Sequence, residues 1–169
     1  KTLGYCCFND TSIWVRTIAM KLSPHFTLAE LCKSQTALRF NIDNTATETH
    51  IKNLKYLCET ILEPIREKYG PFTPTSGYRS KALNEQIGGS QKSQHSLGQA
   101  ADLEIAGIPN PELAKFIQDN LEYDQLILEY WSEKNNNPNN GWVHVSTKPD
   151  GCRKSCMAYD GKDYTYLTL

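Results

Sequence analysis

Residues 76–104, SGYRSKALNEQIGGSQKSQHSLGQAADLE, decide the fold of this chain. Ser80 can cap a short helix over residues 81–87, and two glycines directly after it end that helix. Residues 90–98 are polar and predict a loop. Residues 100–105 then alternate between polar and apolar side chains, which is the pattern of a strand with one buried face. The stretch therefore predicts a helix and a strand joined by a polar loop.

Three polar side chains in and after this stretch form a candidate ligand set. His95 lies in the polar loop, and Asp102 lies in the strand between two apolar neighbours. His144 lies in a second predicted strand, where it alternates with valines that face the core. Two histidines and one carboxylate are ligands that a catalytic zinc uses, with the fourth position left for water. Spacing alone does not establish the site, because each histidine by itself also fits a structural role.

From residue 20 onwards the chain predicts an α+β domain. Capping boxes at Thr27 and Thr45 predict a short helix to about residue 34 and a long helix to about residue 69, kinked at Pro64. A further helix is predicted over residues 110–120. The predicted strands are residues 72–76, 100–105, 125–130, 142–147 and 164–169. Helices followed by a small, mostly antiparallel sheet define the α+β class.

Composition bounds the domain organisation and the partners. Residues 1–19 have no usable periodicity, and we expect a poorly ordered or non-native extension before one domain at residues 20–169. They also lack the unbroken apolar region of a signal peptide, and no apolar run is long enough to span a bilayer. The net charge of −1 argues against a nucleic-acid partner. We expect a monomer.

The six cysteines do not predict a disulfide scaffold, because the chain is long and rich in helix signals. Cys32 and Cys58 lie on apolar helix faces, where we expect buried free thiols. Cys152 and Cys156 lie four residues apart, and a disulfide between them stays open. A second zinc site there would need two further ligands, and the sequence offers none nearby.

Several short motifs occur in order between residues 22 and 147. They are Leu22-Ser-x-x-Phe-Thr-Leu-x-Glu-Leu, Ser76-Gly-Tyr-Arg79-Ser80, Asn84, Gly88-Gly89, Ser93-x-His95-x-x-Gly98-x-Ala100-x-Asp102 and Trp142-Val-His144-Val-Ser. Together they closely resemble the zinc D-Ala-D-Ala carboxypeptidase family, and in particular its small stand-alone branch. That family includes peptidoglycan peptidases of bacteria and phage lysins, and it shares the hedgehog/DD-peptidase fold.

The resemblance implies roles for five residues. His95, Asp102 and His144 would bind one zinc ion. Arg79 would hold a carboxylate or carbonyl oxygen of the substrate, which suits the rigid donor fork of a guanidinium. It would also be catalytic if it stabilises the oxyanion. Ser93 would be a second substrate contact.

The general base is the point at which the chain departs from the family pattern. Many relatives place an acidic residue or a histidine just before the last zinc ligand, where this chain has Gly-Trp-Val at residues 141–143. A carboxylate is still needed to pass a proton from water to the leaving amine. We expect Glu129, near the end of a predicted neighbouring strand, to serve as the base, with Glu104 as the second candidate.

The sequence therefore predicts a zinc metallopeptidase that hydrolyses a bond in peptidoglycan stem or cross-link peptides, as a carboxypeptidase or an endopeptidase. The asparagine-rich loop of residues 131–140 is expected to wall the cleft. The missing acid before His144 favours one alternative, a non-catalytic peptidoglycan-binding module with a structural zinc. A zinc-free structural domain is a third. We expect action at the bacterial cell wall, with the protein cytoplasmic until it is released or carried on a virion, as a phage endolysin is.

Overall fold

A computed structural model describes residues 20–132, 134, 137 and 139–169 of the chain. The helices are α1 Leu28–Cys32, α2 Gln35–Phe40, α3 Glu48–Leu57, α4 Glu63–Tyr69, α5 Lys81–Gln86 and α6 Asn110–Asn120. A π-helical turn, Cys58–Leu62, joins α3 to α4, and a 3₁₀ turn, Gln94–Leu97, precedes the first strand. The strands are β1 Ala100–Leu103, β2 Gln125–Glu129, β3 Trp142–Ser146, β4 Ser155–Tyr159 and β5 Tyr164–Tyr166. The extension expected at residues 1–19 lies outside the described residues, so that division of the chain stays a prediction.

The strands form one five-stranded sheet in the order β1-β3-β2-β4-β5. All neighbouring pairs are antiparallel except β2 and β4, which are parallel. This arrangement confirms the α+β class with a mostly antiparallel sheet. In the register, Asp102 lies opposite His144, and His144 lies opposite Ile127. Because directly opposite residues point to the same side, the register places Asp102 and His144 on one face of the sheet.

The other face of the sheet forms the core with the helices. Its strand residues are fully buried or nearly so: Ala101, Leu103, Leu126, Leu128, Val143 and Val145. They belong to one cluster with the apolar side of the long helical segment, whose members Leu54, Leu57, Ile61, Leu62 and Ile65 are each 0% exposed. Burial of a leucine- or isoleucine-sized side chain stabilises a fold by about 1.5–3 kcal/mol each. The helices therefore pack against the apolar face of the sheet, and its polar face remains available for a functional site.

The long helical segment begins two residues later than its sequence predicts. Thr47 is the N-cap, and its hydroxyl accepts from the backbone N–H of His50, whose ring accepts from the N–H of Thr47. Thr45 instead hydrogen-bonds the carboxylate of Asp43. The prediction of a capping box at Thr45 is therefore wrong, because the nearby aspartate is the better partner for that hydroxyl.

Pro64 shapes the middle of the same segment. Proline has no N–H to donate to the carbonyl four residues earlier, and its ring crowds that carbonyl. The backbone widens into the π-helical turn just before it, where the N–H of Glu63 donates to the carbonyl of Cys58. The predicted distortion at Pro64 thus takes the form of a single π-helical turn inside a longer helix, which is where π-helical turns mostly occur.

The structure differs from the sequence predictions at four further places. No strand forms over residues 72–76, where a single bridge joins Ser76 to Asp102, because Pro74 has no backbone N–H to donate and Pro71 directly precedes the segment. Helix α2 was not predicted, although Ser34 caps its start and Asn41 ends it in the left-handed conformation. Strand β4 was not predicted either. The last predicted strand ends at Tyr166, three residues early.

Four cysteines lie in the described part of the chain, and all four are free thiols: Cys32, Cys58, Cys152 and Cys156. Free thiols are confirmed at Cys32 and Cys58, although only Cys58 is fully buried, and Cys152 and Cys156 form no disulfide. Burial raises the pKa of the Cys32 thiol to about 12. Among the residues described, no helix combines the length and the apolar character that crossing a bilayer requires.

Candidate metal centre

Three ligand atoms from three elements converge on the polar face of the sheet. His95 comes from the 3₁₀ turn, Asp102 from β1 and His144 from β3, and their ligand atoms all lie within 4.8 Å of one another. Nε2 of His95 is 3.1 Å from Oδ1 of Asp102 and 3.2 Å from Nδ1 of His144. Nδ1 of His144 is 3.0 Å from the same carboxylate oxygen. The structure therefore brings together the three residues that the sequence assigned to a metal.

A backbone carbonyl fixes the tautomer of His95. Its Nδ1 lies 2.6 Å from the carbonyl oxygen of Gly77, and a carbonyl can only accept, so Nδ1 carries the proton. Burial lowers the pKa of His95, which keeps the ring neutral and leaves Nε2 as a lone pair facing Asp102. No proton of that ring lies between Nε2 of His95 and the facing carboxylate oxygen of Asp102. Both atoms carry lone pairs, so a cation could bind to both at once. The donor set therefore fits a metal ion, and the carbonyl is the outer partner typical of a metal-bound histidine.

The second oxygen of Asp102 is held by Arg79. The guanidinium Nη2 donates to Oδ2 of Asp102, and Nε donates to the hydroxyl of Ser76 at 3.0 Å. Oδ1 is thereby left for the two histidines. Burial acts to raise the pKa of Asp102, but the hydrogen bonds that its carboxylate makes with His144 and Arg79 outweigh burial and hold the pKa well below the usual range. Asp102 is consequently ionised and oriented before any ligand arrives.

The cluster lies in a cleft of about 900 Å³. That volume is within the range of small-molecule sites, roughly 300–1,000 Å³. Arg79 and Ser93, the two residues expected to contact substrate, both line it. Since Arg79 is engaged with Asp102, its observed contact is with the ligand set, and its contact with substrate stays a prediction.

Glu129 also lines the cleft. It is two residues from Ile127 on β2, and Ile127 pairs with His144, so the alternation of a strand puts Glu129 on the same face as His144. Glu129 is half-buried, and burial raises its pKa above the ordinary value of a glutamate. A raised pKa makes a carboxylate a stronger base, which favours its taking a proton from water and returning it to a leaving group. Glu104, in contrast, is exposed, lies one residue beyond β1 and is not part of the cleft lining.

A second buried carboxylate beside the cleft was not found from the sequence. Asp124 is 0% exposed and accepts from the guanidinium of Arg153 and, at 3.0 Å, from Nε2 of Gln94. Gln94 directly precedes His95, so Asp124 ties down the turn that carries a ligand. The sequence did contain a signal for Asp124. It lies at the start of a buried strand, and burying its charge without a partner would cost free energy, as at Asp102.

Comparison with known proteins places these residues inside one matched region. The model of a protein family described as Peptidase M15 matches residues 24–146, which is well over half of the chain. The matched region contains every residue of the metal cluster and Glu129. None of the curated proteins matches the chain.

Proposed function

The chain belongs to the peptidase M15 family, the zinc D-Ala-D-Ala carboxypeptidase family, and on that premise we propose that it hydrolyses a bond in peptidoglycan stem or cross-link peptides. Peptidases of this family depend on a metal, typically zinc, and we assign one zinc ion to this site. The observation that carries the proposal is the convergence of two histidine nitrogens and a carboxylate oxygen in a substrate-sized cleft. When bound, zinc supplies Lewis acidity that polarises the scissile carbonyl and activates water as the nucleophile.

The protein side chains divide the remaining work. His95, Asp102 and His144 hold the ion, and the carbonyl of Gly77 keeps the first of these in the tautomer that presents Nε2. Glu129 takes a proton from the attacking water and delivers it to the leaving amine, a task for which its raised pKa suits it.

Arg79 and Ser93 are assigned to substrate binding. Both line the cleft, and the guanidinium has N–H groups beyond the two that bond Asp102 and Ser76. These groups suit a carboxylate or carbonyl oxygen of the peptide. We place the action at the bacterial cell wall, because the proposed substrate is there. Release from the cell by a phage or a bacterial route stays a prediction, as does the monomeric state.

One observation favours a second candidate function. Residues 141–143 offer no proton-transferring side chain next to His144, so a binding module that keeps the metal as a structural ligand is the alternative. The half-buried Glu129 on the same face of the sheet supports the enzyme. Partial burial of a carboxylate costs free energy, and a catalytic role would account for a carboxylate at this position.

Glu129→Gln, with Glu104→Gln as the matched control, separates these functions. Both substitutions neutralise a glutamate, one in the cleft and one exposed outside it. We expect Glu129→Gln to slow release of peptides from purified peptidoglycan by roughly 10²–10⁴-fold, the usual contribution of a general base, while the zinc content stays unchanged. Glu104→Gln is expected to behave like wild type.

Other outcomes assign the function differently. Wild-type rates in Glu129→Gln would remove this residue from the mechanism. Binding of peptidoglycan by zinc-loaded wild type without any turnover would identify the binding module. Loss of activity only in Glu104→Gln would move the base to that residue.

A further inference from the structure

Five aromatic side chains line the cleft beside the metal cluster, and we call them the aromatic wall: Tyr130, Trp142, Tyr159, Tyr164 and Tyr166. The rings of Tyr159 and Tyr164 stack with their centroids 4.6 Å apart. The Tyr130 ring lies 5.3 Å from that of Trp142 and 5.4 Å from that of Tyr159. Tyr130, Tyr164 and Tyr166 are 48%, 57% and 78% exposed. A contiguous, exposed aromatic surface of this kind marks a binding site more often than a structural feature.

The backbone at Tyr130 supports that interpretation. Its φ of +54° lies in the left-handed region, which is unfavourable for a bulky aromatic residue. Such strain persists where the surroundings hold it and is frequent at binding sites. Here the strained residue directly follows β2 and brings its ring between Trp142 and Tyr159.

The sheet register places the two ends of the wall at different distances from the metal cluster: Trp142 is two residues from His144 on β3, and Tyr166 lies on β5. Reading across the strands, His144 pairs with Ile127, Ile127 with Met157, and Met157 with Tyr166. These four residues share one face and lie on four neighbouring strands. Strand spacing of about 4.8 Å therefore puts the wall at Tyr166 roughly 14 Å from His144.

We propose that the aromatic wall binds the sugar of peptidoglycan, an N-acetylated pyranose, while the attached peptide extends along the cleft to the metal cluster. This rests on the proposed function. A pyranose presents C–H groups on one face and polar groups at its edge. Tyrosine and tryptophan rings match both, because each has an apolar face and a polar edge. Arg153, which lines the same cleft, adds a donor for hydroxyl or acetamido oxygens.

The distance also selects the bond that is cut. An extended peptide covers about 3.3–3.6 Å per residue, so roughly 14 Å corresponds to about four residues. A bond next to the sugar-bearing end of the stem is too close to reach the metal while the sugar rests on Tyr164 and Tyr166, at the outer end of the wall. The structure thus assigns cleavage to a bond three to four residues from the sugar.

The test compares two substrates that share one peptide. One is a disaccharide pentapeptide, and the other is the same pentapeptide with an acetyl group in place of the sugar. We expect zinc-loaded wild type to favour the sugar-bearing substrate in kcat/KM by about tenfold, since aromatic contacts contribute up to about a factor of ten each. Tyr164→Leu and Tyr166→Leu should bring this ratio close to one. Phe40→Leu changes an exposed aromatic residue outside the cleft, and should keep the wild-type ratio.

Each other outcome overturns the inference in an identifiable way. Equal kcat/KM for the two substrates in wild type would show that the sugar does not bind to the aromatic wall. A proportional loss on both substrates in the tyrosine variants means that the wall binds peptide instead. Cleavage of the bond nearest the sugar contradicts the distance argument. Hydrolysis of neither substrate by zinc-loaded wild type refutes the proposed function, and the inference with it.

Discussion

We expect Asp124→Asn to lower both the stability of the protein and its affinity for metal. The carboxylate of Asp124 is fully buried and joins Gln94 of the 3₁₀ turn to Lys148 and Arg153 of the connection between β3 and β4. Asparagine has nearly the same shape but no charge, so the substitution removes the ionic contribution while leaving the packing in place.

The magnitude follows from what each partner loses. Hydrogen bonds to a charged group contribute about 1.5–3 kcal/mol each, and removing one partner of a fully buried ion pair costs about 3–5 kcal/mol. The side chains of Arg153 and Lys148 are 56% and 33% exposed, so water can replace part of their lost contacts. We therefore expect a loss of about 2–3 kcal/mol, below the fully buried case. For a domain of this size that is a fall in Tm of roughly 5–10 °C.

The metal site should respond through Gln94, which bonds Asp124 and precedes His95. Outer contacts of metal ligands typically change affinity by about 10–100-fold, and an indirect contact belongs at or below the lower end of that range. Thermal unfolding of the metal-free protein gives the stability, and competition with a chelator gives the affinity.

Glu122→Gln is the matched control. It also neutralises an acid in an ion pair with a lysine, Lys154, but both side chains are more than half exposed, so little stability should be lost. Equal Tm values for Asp124→Asn and Glu122→Gln, together with unchanged metal affinity, would refute the argument that Asp124 holds the site together.

Two further predictions concern Glu129 and a glycine near the site. Burial raises the pKa of Glu129, so the metal-free wild type loses stability as pH rises from the ordinary glutamate pKa to the raised one. Glu129→Gln should therefore equal wild type in Tm near about pH 3 and exceed it at about pH 7; a lower Tm at neutral pH would contradict this. Gly98 and Gly88 have φ of +70° and +71°, but only at Gly98 would a Cβ meet backbone, 2.7 Å from the carbonyl oxygen of His50. Gly98→Ala should thus lower Tm more than Gly88→Ala, and equal losses would show that only the left-handed conformation matters.

Much of the candidate site is predictable because its residues lie in local patterns. The alternation around Asp102 and around His144 identifies one polar face on each of two strands, and the motif order links them to a known family. What alternation cannot supply is the pairing of β1 with β3, since these strands are far apart in the sequence. The resemblance supplied only the expectation that residues of both strands bind one metal ion, and the structure shows the pairing that brings them together. The family match over residues 24–146 confirms the resemblance itself.

The setting of His95 shows the limit of a local pattern. Its polar neighbours predict a loop, whereas the residue is buried at 3% exposure on a 3₁₀ turn. The turn is held by distant partners, the carbonyl of Gly77 and the carboxylate of Asp124, and neither contact has a periodicity that a sequence reveals.

The aromatic wall was not predictable for a related reason. Its members come from the end of β2 and from β3, β4 and β5, and β4 itself was not predicted. The two sides of β4 are both largely apolar, because Cys156 and Ala158 face the core while Met157 and Tyr159 face the cleft. A strand of this kind lacks the alternation by which half-buried strands are identified.

The metal content of purified protein tests the central claim most directly, measured per chain for wild type, His144→Ala and the control His25→Ala. His25 pairs with Glu63 away from the cleft, so its loss should not affect the site. We predict about one zinc ion in wild type and in His25→Ala, with His144→Ala losing both the metal and peptidoglycan hydrolysis, because three protein ligands are what a catalytic zinc site requires. Zinc retained in full by His144→Ala, or absent from wild type, would contradict the account.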